Sequence, residues 1–204
     1  MNLQYIFKLT TEMVPSDSKF IRSRYFRKKG DIRRNKRVDA VLNKMLHNAN
    51  AIISHKDTFY LCRNGQSIPE PSCTVGGGRY SIITIPKSKL FANGYAYYSS
   101  IFHEISHAVR ALYETEEEMR RKFFDMKDFI IEELIAESTA ILLCNYFNIG
   151  NKNSIKSNLI YMKIWLNHYE SQIGRKFYQY EFEENVVPEV QTRFEIILKG
   201  IDYA

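Results

Sequence analysis

Apolar positions in the second half of the chain recur every three or four residues, and those in part of the first half alternate. From about Arg34 to Ser54, the residues Val38, Val41, Leu42, Met45, Leu46, Ile52 and Ile53 fall at helical spacing. Lys56 to Arg63 reads as a strand, and the stretch NGQSIPEPS then supplies turn residues and prolines that break regular structure. Arg79 to Pro86 is β-branched and follows three glycines, which predicts a second strand after a tight turn. With the N-terminal segment, these strands predict a small sheet. Beyond Asn93-Gly94 the pattern predicts helices over 95–114, 128–147, 154–173 and 188–199, the last with Pro188 in its first turn. Strands followed by helices make an α+β chain.

Composition narrows the class. The chain has 204 residues, 45% hydrophobic and 25% charged, the balance of one folded domain and not of a disordered segment. No stretch approaches the ~18 uncharged apolar residues of a membrane span, and MNLQYIFKLTTEM does not read as a signal peptide. Three cysteines (Cys62, Cys73 and Cys144) form no CxxC pair and suit a reducing compartment. Charge changes the picture more. Nine cations against one acid lie between Arg22 and Arg37, so that window carries +8 and the remainder −2. The expected organisation is a basic arm over 1–38 and a folded domain over 39–204, in the cytoplasm.

The chemistry is concentrated at His103-Glu104-Ile105-Ser106-His107, an HExxH on the first long helix. Residues four apart lie about 40° apart around a helix, so both imidazoles share a face and reach one tetrahedral metal. Glu104 is then beside a metal-bound water without having to bind the metal. Ile101, Ile105, Ala108, Val109 and Leu112 form the opposite, core side.

A catalytic zinc needs a third protein ligand. The second long helix carries Glu132-Glu133-Leu134-Ile135-Ala136-Glu137, in which Glu133 and Glu137 share one face, continued by Cys144. Small Ala136 and Ala140 let the two helices approach closely. Two carboxylates on an apolar stripe are costly without a partner, and a metal with its histidines is one. Glu133 is expected as third ligand and Glu137 as acceptor of a histidine N–H, with the reverse as the alternative. Glu132 points about 100° away and is expected in solvent or in a surface pair.

The segments YYSSIFHEISHAV and FIIEELIAESTAILLCNYF resemble the zincin-like metallopeptidase domain of ArdC-type antirestriction proteins and phage polyvalent proteins. The resemblance runs over about 40–200 and includes TVGGGRYSIITIPKSKLF and LIYMKIWLNHY. It implies a zincin-like fold, with a small twisted sheet on the HExxH helix and a glutamate-bearing helix. It also implies Zn2+ held by His103, His107 and Glu133, and Glu104 as general base. Ser81 to Ile85 would be the strand beside the cleft, holding a peptide by strand addition. Ala108-Val109 replace the Trp-Thr of the family pattern. A phage or plasmid origin, acting in the host cytoplasm, comes from the resemblance alone. ArdC-type proteins carry a separate single-stranded-DNA-binding domain, far longer than the residues ahead of this domain.

DNA contact, single-stranded or duplex, therefore rests on the basic arm: Arg27, Lys28, Lys29, Arg33, Arg34, Lys36 and Arg37, interleaved with Tyr25 and Phe26. The leading expectation is a zinc metallopeptidase of antirestriction type acting on a protein or peptide, with no membrane partner. The alternative is a non-proteolytic zincin-fold protein that binds DNA or a host defence protein and uses zinc structurally. Tyr97, Tyr98 and Tyr161 are open as oxyanion-stabilising residues.

Overall fold

The structure is a computed structural model, and it describes residues 2–13, 34–56, 59–61, 67–69, 71–75, 80–150 and 154–202. In chain order, α1 (Leu3–Met13) and α2 (Lys36–Asn48) precede β1 (Ala51–His55), β2 (Phe59–Leu61), β3 (Ser67–Pro69), β4 (Ser72–Val75) and β5 (Ser81–Ile85). A short 3-10 turn at Ser88–Leu90 leads into α3 (Gly94–Arg110), α4 (Glu116–Phe124), α5 (Met126–Tyr146), α6 (Lys156–Ile173), α7 (Gln179–Asn185) and α8 (Val187–Leu198). This is a mixed α+β arrangement. No helix among the described residues is long and apolar enough to cross a membrane.

The SIITI segment explains the sheet. Its β-branched residues favour extended backbone, and alternation buries Ser81, Ile83 and Ile85 while Ile82 faces outward. β5 is the central strand of the order β1-β5-β4. It runs parallel to β1, with Ala51 opposite Ser81 and His55 opposite Ile85. It runs antiparallel to β4, with Ser72 opposite Thr84 and Val75 opposite Ser81. β2 and β3 pair separately as an antiparallel ribbon.

α5 is apolar nearly all round, as a central helix should be. It packs against α3, α6 and α8. Ala136 and Ala140 are fully buried on it, as is Cys144. α3 meets α5 on one side and the sheet, through β4 and β5, on another. Its first turn is capped by the Asn93 side chain, which accepts from the Ala96 N–H.

The helices expected at 95–114, 128–147, 154–173 and 188–199 correspond to α3, α5, α6 and α8. Two features differ from expectation, the end of α2 and the start of the chain. α2 ends at Asn48, and Asn50 turns the chain at φ 48°, so Ile52 and Ile53 belong to β1. A short apolar pair fits either period, and the left-handed Asn decides it. Of the strand read over 56–63, Phe59–Leu61 forms β2, while residues 57, 58, 62 and 63 lie outside the described residues.

Among the described residues, the N-terminal segment adds no strand to the sheet. α1 packs on α6 and α7 with Leu3, Ile6 and Phe7 buried, so the arm expected over 1–38 begins with a core helix. Arg27, Lys28, Lys29 and Arg33 lie outside the described residues, as does Cys62.

Candidate metal centre

The HExxH spacing does on α3 what helical geometry requires. Nε2 of His103 and Nε2 of His107 lie 3.0 Å apart, with the rings nearly perpendicular. α5 brings Glu133 to the same point, its Oε2 3.6 Å from His103 Nε2 and its Oε1 3.6 Å from His107 Nε2. Donor atoms of the three residues all lie within 4.8 Å of one another. Tetrahedral zinc with bonds of about 2.0–2.1 Å places its donors roughly 3.3 Å apart. The donor set therefore fits a zinc-sized cation with little adjustment.

The other nitrogens of the two imidazoles are held by different carboxylates. Nδ1 of His107 lies 2.8 Å from Oε1 of Glu132. Nδ1 of His103 lies 3.2 Å from Oε1 of the fully buried Glu137, off the line of an ideal hydrogen bond. Glu137 in turn accepts from the Asn158 side chain, which also donates to Ser99 Oγ at 2.8 Å. A histidine that gives Nδ1–H to a carboxylate keeps its Nε2 lone pair for a metal. Glu133, not Glu137, faces both Nε2 atoms.

Electrostatics point the same way. Burial works against charge on His103, but Glu137, Glu133 and Glu104 outweigh it and push its pKa up to about 9. A field that attracts a proton this strongly also attracts a metal cation. Glu104 is buried, which pushes its carboxyl up, against the opposing pull of His103 and His107.

Glu132 corrects an expectation. It is buried, not solvent-facing, and binds Arg193 of α8 through two 2.7 Å hydrogen bonds, one to each oxygen. Burial pushes its carboxyl up, yet the charge and hydrogen bonds of Arg193, then His107, hold it well below the usual range. Arg193 is 1% exposed and also donates to the Ser106 carbonyl and to Tyr113 Oη. Helical geometry rightly turned Glu132 away from the Glu133 face, but α8 covers the side to which it turned. One signal was in the sequence: Arg193 falls on the buried stripe of Val190 and Ile197.

An open cleft of about 570 Å³ leads to the histidines. Glu104 lines it together with His103, His107 and Glu133. The strand beside it is β4, through Ser72, Cys73 and Val75, and not the expected Ser81–Ile85, which is paired on both sides. Burial, then the charge of Glu104, pushes the Cys73 thiol up to about 12. Of the three tyrosines left open, Tyr161 lines the cleft. Tyr97 is bonded to His55 Nε2, and Tyr98 donates to Asp39, away from the cleft. Arg34 pairs with Asp39 at 2.8 Å, while Lys36 and Arg37 open α2; none of the three joins the metal cluster.

Residues 79–176, just under half of the chain, match the family model of the zincin-like metallopeptidases termed MPTase-PolyVal. That segment holds β5, α3, α5 and α6, with both histidines, Glu104 and Glu133. No curated protein and no solved structure matches the chain.

Proposed function

We propose that the protein is a zinc-dependent peptidase of the HExxH type, with His103, His107 and Glu133 as metal ligands and Glu104 as general base. The observation that carries this reading is the convergence of both Nε2 atoms and the Glu133 carboxylate at the floor of a cleft that Glu104 also lines. A zinc ion held there would polarise the scissile carbonyl and lower the pKa of a water molecule. Glu104 takes the proton from the attacking water and passes it to the leaving amine. Glu132 and Glu137 fix the two imidazoles by their Nδ1 atoms. The peptide adds along the edge of β4 that no strand among the described residues pairs with, and is held by backbone hydrogen bonds. An antirestriction role on a mobile element belongs to this reading as its biological setting.

Metal content and turnover test it together. Purified protein should carry about one zinc per chain, lost in His103→Ala and in Glu133→Gln. Glu104→Gln should keep the metal and lose on the order of 10²–10⁴-fold in peptide hydrolysis. Full turnover by Glu104→Gln, or no zinc uptake on titration, would sink the proposal.

A further inference from the structure

The lining of the cleft is of two chemical kinds. One is the metal cluster, and the other is a wall of Met119, Phe123, Phe129, Tyr161 and Trp165 from α4, α5 and α6. The rings interlock edge to face. Phe123 meets Phe129 at 5.5 Å and 85°, Phe129 meets Trp165 at 5.4 Å and 80°, and Trp165 meets Tyr161 at 6.1 Å and 81°. The series runs on from Phe123 to Phe124, outside the cleft, at 5.6 Å and 83°, and Phe123 remains 62% exposed. An aromatic ring left largely in water beside a cleft gains by being covered by an apolar occupant. A wall of edge-to-face rings offers a further ring the same packing.

Resting on the peptidase reading, we propose that this wall is a binding subsite for a large apolar side chain, aromatic above all, on the peptide residue next to the scissile bond. The occupant follows from continuity: one cleft joins the wall to the metal cluster, and β4 borders the same space. A peptide whose carbonyl sits at the metal and whose backbone lies along β4 has side chains within reach of the rings. The cleft volume is within the roughly 300–1,000 Å³ of small-ligand sites and accommodates a few residues.

Trp165 is the single tryptophan of the chain and stands in this wall, so its fluorescence reports the occupant directly. The probes are acetohydroxamate and the hydroxamates of N-acetyl-phenylalanine, N-acetyl-alanine and N-acetyl-aspartate, titrated into zinc-loaded protein. Hydroxamates anchor on the metal; acetohydroxamate tests that anchor alone, and the three amino-acid hydroxamates differ only in the side chain presented to the wall.

The phenylalanine probe should bind about tenfold or more tighter than the alanine probe and shift the Trp165 emission. In Phe123→Ala that ratio should fall toward one. Phe124→Ala, on the same helix but outside the cleft, should retain it. Equal affinities, or tightest binding of the aspartate probe, would overturn the subsite while leaving the metal reading intact. A Trp165 signal that follows protein concentration instead of probe would make the wall a self-association face, and would also overturn it. If acetohydroxamate itself fails to bind, the metal reading falls and the subsite with it.

Discussion

At the scale of single residues, the candidate metal ligands are held by groups behind their donor atoms. Arg193 is a buried cation that grips both oxygens of Glu132, and Glu132 also lies 2.8 Å from His107 Nδ1 and 3.7 Å from Arg110. Removing the arginine takes the main charge partner from a buried carboxylate, the costly case for a buried ion pair. Arg193→Met should therefore lower stability by about 3–5 kcal/mol in urea denaturation. The Glu132→Gln variant keeps a hydrogen-bonding group but removes the negative charge that His107 Nδ1 faces at 2.8 Å. Zinc affinity, measured by competition with a chelator, should fall about 10–100-fold in that variant, as it should in Glu137→Gln. Glu133→Gln should abolish high-affinity binding instead. Equal effects of Glu133→Gln and Glu137→Gln would mean that the ligand roles are shared or reversed.

At the scale of elements, α4 stands apart because it has no buried residue. It is held by a capping box, in which Thr115 Oγ accepts from the Glu118 N–H and Glu118 accepts from the Thr115 N–H. Glu114 adds a link at 2.6 Å to Lys122 on α4 and at 2.6 Å to Arg110 on α3. Thr115→Ala should raise amide exchange across 116–124 by the equivalent of about 1 kcal/mol, with the global unfolding midpoint nearly unchanged. A matching loss of global stability would show α4 to be part of the cooperative core. Sequence periodicity located α3, α5, α6 and α8 because each presents a long apolar stripe, and it located His103, Glu104 and His107 because their spacing is helical. It missed β4, four residues between Pro71 and a glycine run, too short to show alternation. It also missed the Glu132–Arg193 pair, since 61 residues separate the partners and only the docking of α8 on α5 joins them.

At the scale of the whole molecule, the N-terminus belongs to the fold. Ile6 is fully buried, and Phe7 packs on Phe182 and Phe177 at 4.8 and 6.2 Å. Thr10 Oγ donates to the Ile6 carbonyl and lies near Met162 of α6. α7, against which α1 rests, is fixed in turn by Glu181. Arg175 grips both of its oxygens at 2.7 Å, and the Tyr178 N–H adds a third bond. The Arg175 hydrogen bonds hold the Glu181 carboxyl down to about 2, against an opposing push from burial. A depressed carboxyl stabilises above its ordinary value of 4.5, and that stability is lost as pH falls from there toward 2. Glu181→Gln should flatten this part of the acid limb in pH-dependent thermal melts, and an unchanged acid limb would assign it to other carboxylates. The docking of α1 gives the sharper test. Ile6→Ala opens a cavity in a corner shared by three helices and should cost about 2–5 kcal/mol. Lys36→Ala, at an exposed position opening α2, should stay within about 0.5 kcal/mol. If both substitutions are equally silent in denaturant titrations, α1 is an appendage and the folded unit begins at α2. If Ile6→Ala also lowers the zinc occupancy of protein held near its unfolding midpoint, α1 supports the metal site through α6, which carries Asn158 beneath Glu137.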